Sequence, residues 1–340
     1  MGGIMSSTYR QLNKLYVLTI ALLLSMILPE GRRNEILAAP PKAISICIGG
    51  APGIPFELAQ AQGLFAQEGL TVTLKRYVVG QLAFEGLLAG ECDLATVGET
   101  PLVMKSFQRH DFRILATFAS SDDSPRIVAN KKKGIHRPED LKGKRIFVHK
   151  GSVNHFFTDL FLLENGLSTQ KVALTFEDVG DISTAMTSGR IDAVAGSDVV
   201  IAPPRKTLGE DAVVFSSPGL CLITFNLVSL DNVIRKRPLV VTAVLNALLK
   251  TAEVLTKDRP RALPLLARAM NRNEQEMTAV LSSYDWSVVL AQTLLLSLEQ
   301  EAQWAMAAGL IDKTRIPNFL DFIHRDALFS LRPEAVTMLK

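Results

Sequence analysis

Residues 85–101 read EGLLAGECDLATVGETP, and this stretch decides the fold. An apolar, helix-like run ends at Gly90, a short strand follows over residues 93–97, and the Gly98-Glu99-Thr100-Pro101 turn opens the next helix. Pro101 suits the first turn of that helix. A strand running directly into a turn and a helix is the βα step of an α/β protein. Open α/β sheets bind ligands at the carboxyl ends of such strands. No residue here is arranged for catalysis, so the stretch points to capture of a small molecule rather than to chemistry on it.

The alternation continues outward from this stretch. On the amino-terminal side, residues 44–48 form an apolar strand ending in Gly49-Gly50, residues 55–62 have helical periodicity and stop at Gly63, residues 70–78 read as a strand and 82–89 as a helix. On the other side come a helix over 102–108 and a strand over 112–118, then the polar run Ser120-Ser121-Asp122-Asp123-Ser124-Pro125. A second unit begins with a strand over 126–130 and a charged turn over 131–134. Strands at 144–149, 172–177 and 191–195 then alternate with helices at 154–165 and 182–188, and Gly166 closes the first of these helices. Such alternation predicts parallel βαβ units. A strand-like segment over 222–230 ends the second unit. From Asp231, a plausible N-cap, long helical runs appear at 232–255, 259–270, 274–281 and 289–308. The pattern predicts two α/β lobes with a helical tail that packs back on one of them. The expected organisation is a signal peptide over 1–39, the first part of lobe 1 over 42–125, lobe 2 over 126–221, and the return to lobe 1 with the carboxyl-terminal helices over 222–340.

Bulk properties narrow the class. A chain of 340 residues with 48% hydrophobic content supports two or so domains with a substantial core. Arg10 and Lys14 precede an apolar run over 15–28, too short to span a bilayer but suited to a signal-peptide core, and Ala38-Ala39 offers small residues for cleavage. An uncleaved membrane anchor is the alternative. No later segment reads as long and apolar enough to span, since Asn246 and Lys250 interrupt the run near 239–249. Without residues 1–39 the chain carries 33 basic against 32 acidic residues, which gives no electrostatic reason to expect nucleic acid. Cys47, Cys92 and Cys221 include no C-x-x-C pair; Cys47 and Cys92 lie in or beside apolar strands and are expected to be small core residues rather than a disulfide.

Four loops recur where strands hand over to helices: Gly50-Ala51-Pro52 within Gly49–Gly53, Gly80-Gln81 after Val79, Glu99-Thr100 after Gly98, and Gly151-Ser152 after Lys150. Each presents free backbone N–H groups at a helix start, where the dipole favours an anion or a strong acceptor. Any one of them is explained as an ordinary capped turn; four at the same sheet edges favour a ligand site. Thr100 and Ser152 add hydroxyls, and Ser121 adds a third in the polar run. Glu99 would repel an anion, so it is expected to face a cationic or hydrogen-bonding group or to point to solvent. His149 and His155 straddle the Gly151-Ser152 turn without the spacing or third ligand of a metal site, although His155 is a plausible ligand contact. No nucleophile elbow, zinc-protease helix, P-loop or dinucleotide fingerprint is present. The expectation is a protein without catalytic residues, cofactor or metal.

Several segments resemble one family. Residues 62–70, QGLFAQEGL, followed by Thr71-Val72, are similar to the segment after the first helix of extracytoplasmic binding proteins for nitrate, taurine and alkanesulfonates. Residues 87–101 resemble the same family, and Gly98-Glu99-Thr100-Pro101 resembles its alkanesulfonate branch. Residues 140–146, DLKGKRI, with Lys150-Gly151-Ser152 are similar to its second-lobe entry, residues 189–193, GRIDA, to the strand before its second-lobe site, and residues 307–311, AAGLI, to its carboxyl-terminal helices. The chain departs from the family at Gly196-Ser197-Asp198: the aspartate is present, but the family's preceding aromatic and following proline are not. The resemblance implies a type II periplasmic-binding-protein fold with a central cleft. It also implies crossings near 125–131 and 222–225, and a ligand gripped by cleft closure with Asp198 at one wall. It implies a monomeric periplasmic receptor that serves an ABC permease and its ATPase and takes an aliphatic sulfonate, taurine or nitrate-like solute. Two other readings share the pattern. One is an enzyme on the same fold, similar to those making thiamine-pyrimidine or menaquinone precursors, against which the export signal argues. The other is a sensory binding module held at the membrane by an uncleaved anchor.

Overall fold

In the computed structural model, residues 42–338 are described. The signal peptide expected over residues 1–39 lies outside them. The chain begins with β1 (Lys42–Gly49), α1 (Ile54–Ala61), α2 (Leu64–Gln67), β2 (Leu70–Tyr77), α3 (Gly80–Leu88), β3 (Leu94–Gly98), α4 (Glu99–Ser106) and β4 (Phe112–Ser121). It then forms β5 (Arg126–Asn130), β6 (Arg145–Phe147), α5 (Val153–Glu164), β7 (Ala173–Thr175), α6 (Ile182–Thr187), β8 (Ala193–Gly196), α7 (Asp198–Leu208) and β9 (Ala212–Phe215). The last part is β10 (Ile223–Leu230), α8 (Asp231–Lys236), α9 (Pro238–Lys257), α10 (Arg259–Ala269), α11 (Glu274–Ser282), α12 (Gln292–Ala307) and α13 (Asp326–Leu331).

Two five-stranded sheets result, ordered β2-β1-β3-β10-β4 and β7-β6-β8-β5-β9. The two share one plan. In each, four strands point the same way and one, fourth in the order, runs antiparallel to both of its neighbours. The reversed strands, β10 and β5, are those that enter from the other sheet. The chain passes between sheets over residues 122–125 and again over 216–222.

An aspartate locks each sheet at the same register position. Gly90, at φ 79°, ends the turn after α3, and three residues later the Asp93 carboxylate accepts the Ser45 N–H at 2.8 Å and the Ser45 hydroxyl at 2.9 Å. In the second sheet Gly189, at φ 75°, plays the same part: the Asp192 carboxylate accepts the Arg145 N–H at 2.9 Å and the Arg145 guanidinium at 2.8 Å. Each aspartate stands one residue before the central parallel strand and clamps the residue just before the first pair with its neighbour, Ile46–Leu94 and Ile146–Ala193. Arg145 pulls the Asp192 carboxyl below its usual range against the opposing effect of burial.

The first sheet shares one hydrophobic core with α1, α9 and α12, while the second carries separate apolar clusters on its two faces, with α5 on one and α6 and α7 on the other. The helical tail thus packs on the first sheet. Helix α9 is long and apolar enough, by length and composition, to cross a membrane, contrary to the sequence expectation for this region; its apolar face, including Val241, Val244, Leu245 and Leu248, is buried in that core.

Three other expectations need correction. The run over 232–255 divides into α8 and α9 because Pro238 has no N–H and disfavours helical geometry at Arg237. Residues before Gln292 are not helical: Asp285 exchanges backbone hydrogen bonds with Ser120, and Val289 with Thr117, so this segment covers the edge of β4. Cys47 and Cys92 are not free core thiols but a disulfide, their Cα atoms 5.9 Å apart. The adjacency of β1 and β3 brings them together, a fact that a separation of 45 residues conceals. Cys221 is the free thiol, pushed up to about 12 by burial and by the negative charge of Glu99 and Glu301.

Opening the Cys47–Cys92 link is expected to cost about 2–4 kcal/mol by freeing the unfolded chain. Urea unfolding of the oxidised protein against the Cys47→Ala/Cys92→Ala variant measures this; coincident midpoints would show that the link contributes nothing.

Candidate functional site

The loops after β1, β2 and β3 meet backbone to backbone. A Cβ added to Gly49 would lie 2.4 Å from the Val79 carbonyl carbon, and one added to Gly80 would lie 3.3 Å from the Thr96 oxygen. The Gly49 N–H donates to Thr96 Oγ1 at 3.1 Å, and Gly50 turns the chain at φ 63°. Ala51 and Pro52 start a short 3-10 turn. From the second lobe, Gly151 at φ 68° approaches the Met104 methyl of α4, and Ser152 precedes α5 with its hydroxyl donating to the His149 carbonyl at 2.7 Å.

Glu99 does not point to solvent. Glu99, Thr100 and Glu301 are each only 1% exposed. One Glu99 oxygen accepts the Thr224 N–H at 2.8 Å and the Thr224 hydroxyl at 3.1 Å, and a buried polar chain continues through Asn226 to Thr117 across β10 and β4. Thr224 is the hydrogen-bonding partner expected for Glu99. The other Glu99 oxygen is buried without a hydrogen-bond partner, and the Glu99 carboxyl interacts with that of Glu301 on α12. Two carboxyls so buried and so close cannot both ionise. Burial raises Glu99 to about 7 despite the Thr224 hydrogen bonds, and burial together with the Glu99 charge holds Glu301 well above the usual carboxyl range.

Three cavities are lined by residues of the expected site. The one of about 610 Å³ lies where both crossings meet the return of the chain; Ser121 at the end of β4 and Asp198 at the start of α7 line it with Arg126, Arg259, Tyr284 and Asp285. Its electrostatics are mixed, for Arg126 is shared between Asp123 and Asp198, at 2.5 and 3.3 Å. A second cavity, of about 410 Å³, joins Gln81 to Gly151 beside Met104, Lys105 and Lys150. Gly50 lines a third, of about 140 Å³, with Glu57 and Arg76. The structure therefore pairs Ser121 with Asp198 and Gln81 with Gly151, leaves Gly50 apart, and keeps Glu99 and Thr100 behind the walls. His155 is buried between Phe176 and Trp304, and burial lowers its pKa. Sequence reasoning missed Arg126, Arg259 and Tyr284. Only Arg126 had a local signal, at the end of the polar run; the other two arrive from the helical tail. Among the described residues no group of three or more His, Cys, Asp or Glu side chains is placed to hold a metal ion.

The NMT1/THI5-like family model matches residues 53–262. The chain belongs to this NMT1/THI5-like family. It is 28% identical over 192 residues to the taurine-binding periplasmic protein of Escherichia coli, a match over 54% of this chain and 58% of that one. The chain spans about half or less of the length of the curated relatives it matches, from 31% to 58%. Its fold is that of the alkanesulfonate-binding protein SsuA of Xanthomonas axonopodis, solved with MOPS, at TM-score 0.69 and 22% identity over 85% of this chain and 100% of that one. SsuA of Escherichia coli gives 0.71 and 18% over 83% and 97%. This NMT1/THI5-like chain therefore has the type II periplasmic-binding-protein fold of two α/β lobes, a cleft and a helical tail.

The carboxyl pair fixes the sign of a pH effect. The folded pKa values of Glu99 and Glu301 both lie above their unfolded values, so each contributes stability at low pH; that of Glu99 is fully present below pH 4.5 and is lost as pH rises through about 7, and that of Glu301 is lost in the same direction. Thermal melts at pH 5 and pH 8 are expected to differ by roughly 1–3 kcal/mol from this pair, and Glu301→Gln, which removes one acid and keeps an amide donor, is expected to shrink that difference. An unchanged pH dependence in the variant would exclude the pair as its source.

Proposed function

We propose that this chain is the extracytoplasmic solute receptor of an ABC importer and captures a small anionic or polar organic solute by closing its two lobes. The observation that carries this is the 610 Å³ cavity at the crossings, bounded by Ser121 from the first lobe and Asp198 from the second. A ligand that bridges the two lobes binds the closed form better and so shifts a hinge equilibrium towards it. Arg126, Arg259 and the serine hydroxyls offer charge-assisted hydrogen bonds to a sulfonate or similar oxyanion, while Asp122, Asp198 and Asp285 suit an amine such as that of taurine. Names of relatives that bind taurine or aliphatic sulfonates support this class. Micromolar capture needs about 8 kcal/mol, within reach of a few such bonds and desolvation. We propose Ser121, Arg126 and Asp198 as the first ligand contacts, with Gly151 and Ser152 joining on closure.

In this reading the mature protein is a periplasmic monomer that passes its solute to a membrane permease driven by an ATPase, and it is not an enzyme. The binding proteins among its relatives and the charged, then apolar, amino terminus support that placement.

Titration calorimetry against a panel of alkanesulfonates, taurine, nitrate and sulfate is expected to find a ligand, and Ser121→Ala and Arg126→Gln are expected to weaken it about fivefold to tenfold each, the worth of one hydrogen bond. Binding with unchanged affinity in both variants would move the site elsewhere, and a panel without any binder would remove the ligand class.

A further inference from the structure

Helix α12 belongs to the first lobe by its packing: Leu294, Leu295, Leu298 and Ala302 are buried in that lobe's core, and Glu301 faces Glu99. One turn beyond Glu301, on the same helix face, Trp304 reaches the second lobe. Its indole Nε1 donates to Asp159 Oδ2 on α5 at 2.8 Å, and its ring meets those of His155 and Phe156, also on α5, with centroids 5.1 and 5.3 Å apart. His155 is in turn held edge-on to Phe176, at 4.8 Å. A large aromatic anchored in one lobe and seated among rings of the other is a strong contact for its size.

The surroundings of this contact are open on one side. Trp304 is only half-buried, and a cavity of about 390 Å³ lies beside it, reaching Leu220 on the second crossing and Gln300 and Gln303 on α12. Asp159 uses one oxygen on the indole, while its other oxygen is buried without a hydrogen-bond partner. Trp304 belongs to none of the apolar clusters of either lobe, whereas Trp286, the other tryptophan of the chain, is buried in the first core and donates to the Leu281 carbonyl.

We propose that Trp304 is an interlobe latch, a positioning residue that sets how much of the receptor is closed and thereby its ligand affinity, without touching the ligand. The ligand arm rests on the receptor reading above; the latch itself does not. Apparent affinity scales with the fraction of protein in the competent state, so a residue that holds the lobes together strengthens binding at a distance from the cleft.

The test starts without ligand. In a Trp286→Phe background, where Trp304 is the sole indole, its emission is expected to shift on any treatment that opens the lobes. Small-angle scattering is expected to give a larger radius of gyration for Trp304→Ala than for the unaltered protein, with Trp304→Phe in between because the ring remains and the hydrogen bond is gone. Asp159→Ala, made on the opposite lobe, is expected to act in the same direction and leaves the packing of α12 intact should Trp304→Ala fold poorly. With a solute found in the panel above, Trp304→Ala is expected to bind about tenfold more weakly, about 1.4 kcal/mol, with most of the loss in faster release. Identical scattering of the unaltered protein, Trp304→Ala and Asp159→Ala would overturn the latch. Opening of these variants while no solute binds the unaltered protein would leave the latch standing and bring down the receptor reading instead.

Discussion

The architecture hangs on a carboxylate used twice. Asp93 and Asp192 each stand one residue before the central parallel strand of a sheet and accept the backbone N–H of the residue just before the first pair on the neighbouring strand. A parallel pair joined through a helix has no tight turn to set its register. A side chain that claims one particular N–H supplies it, because an unpaired buried N–H would be costly. Once β1 is held against β3, and β6 against β8, the loops at their carboxyl ends come together, and the crossings between sheets have fixed end points. The disulfide, the touching loops around Gly49 and Gly80, and the cavity at Ser121 and Asp198 are all consequences of that placement.

The same economy of position shapes α12. Over one turn it presents Glu301 to the first lobe and Trp304 to the second. The buried carboxyl pair makes the α4–α12 contact depend on a shared proton, since two charges in that setting are not tolerated. Glu99 also fills the start of α4 with its own carboxylate, which leaves the Thr224 N–H and hydroxyl engaged by protein rather than open to a ligand. A helix start that reads as an anion site is thus already occupied, and the cationic groups available to a solute, Arg126 and Arg259, lie instead at the crossings.

Much of this was legible in the chain. The repeated motif of a glycine followed three residues later by an aspartate and an apolar strand, LAGECDLA and TSGRIDAV, marks both central strands, and local periodicity marks most of the helices around them. Two stretches escaped the local pattern, each for its own reason. Residues 198–215 carry Pro203 and Pro204 inside what became α7, so their period is obscured. Residues 289–291 read as the start of a helix, yet Val289 pairs instead with Thr117 at the edge of β4. Of the candidate contacts, Ser121 and Asp198 share a cavity, while Glu99 and Thr100 are hidden, because side-chain direction at a helix start follows from packing with α12 and β10, which lie far along the chain.

What depends on neighbours in the chain is readable from it: strands, helices, turns where glycine takes positive φ, and the twofold βα plan. Those follow from short-range sterics and from hydrophobic period. Only the tertiary structure decided what depends on groups brought together from distant segments: the Cys47–Cys92 link, the carboxyl pair of Glu99 and Glu301, the shared Arg126, and the seat of Trp304 on α5. Proximity in these cases is set by sheet order and by the return of the helical tail, and no local pattern encodes which side chain will stand across the gap.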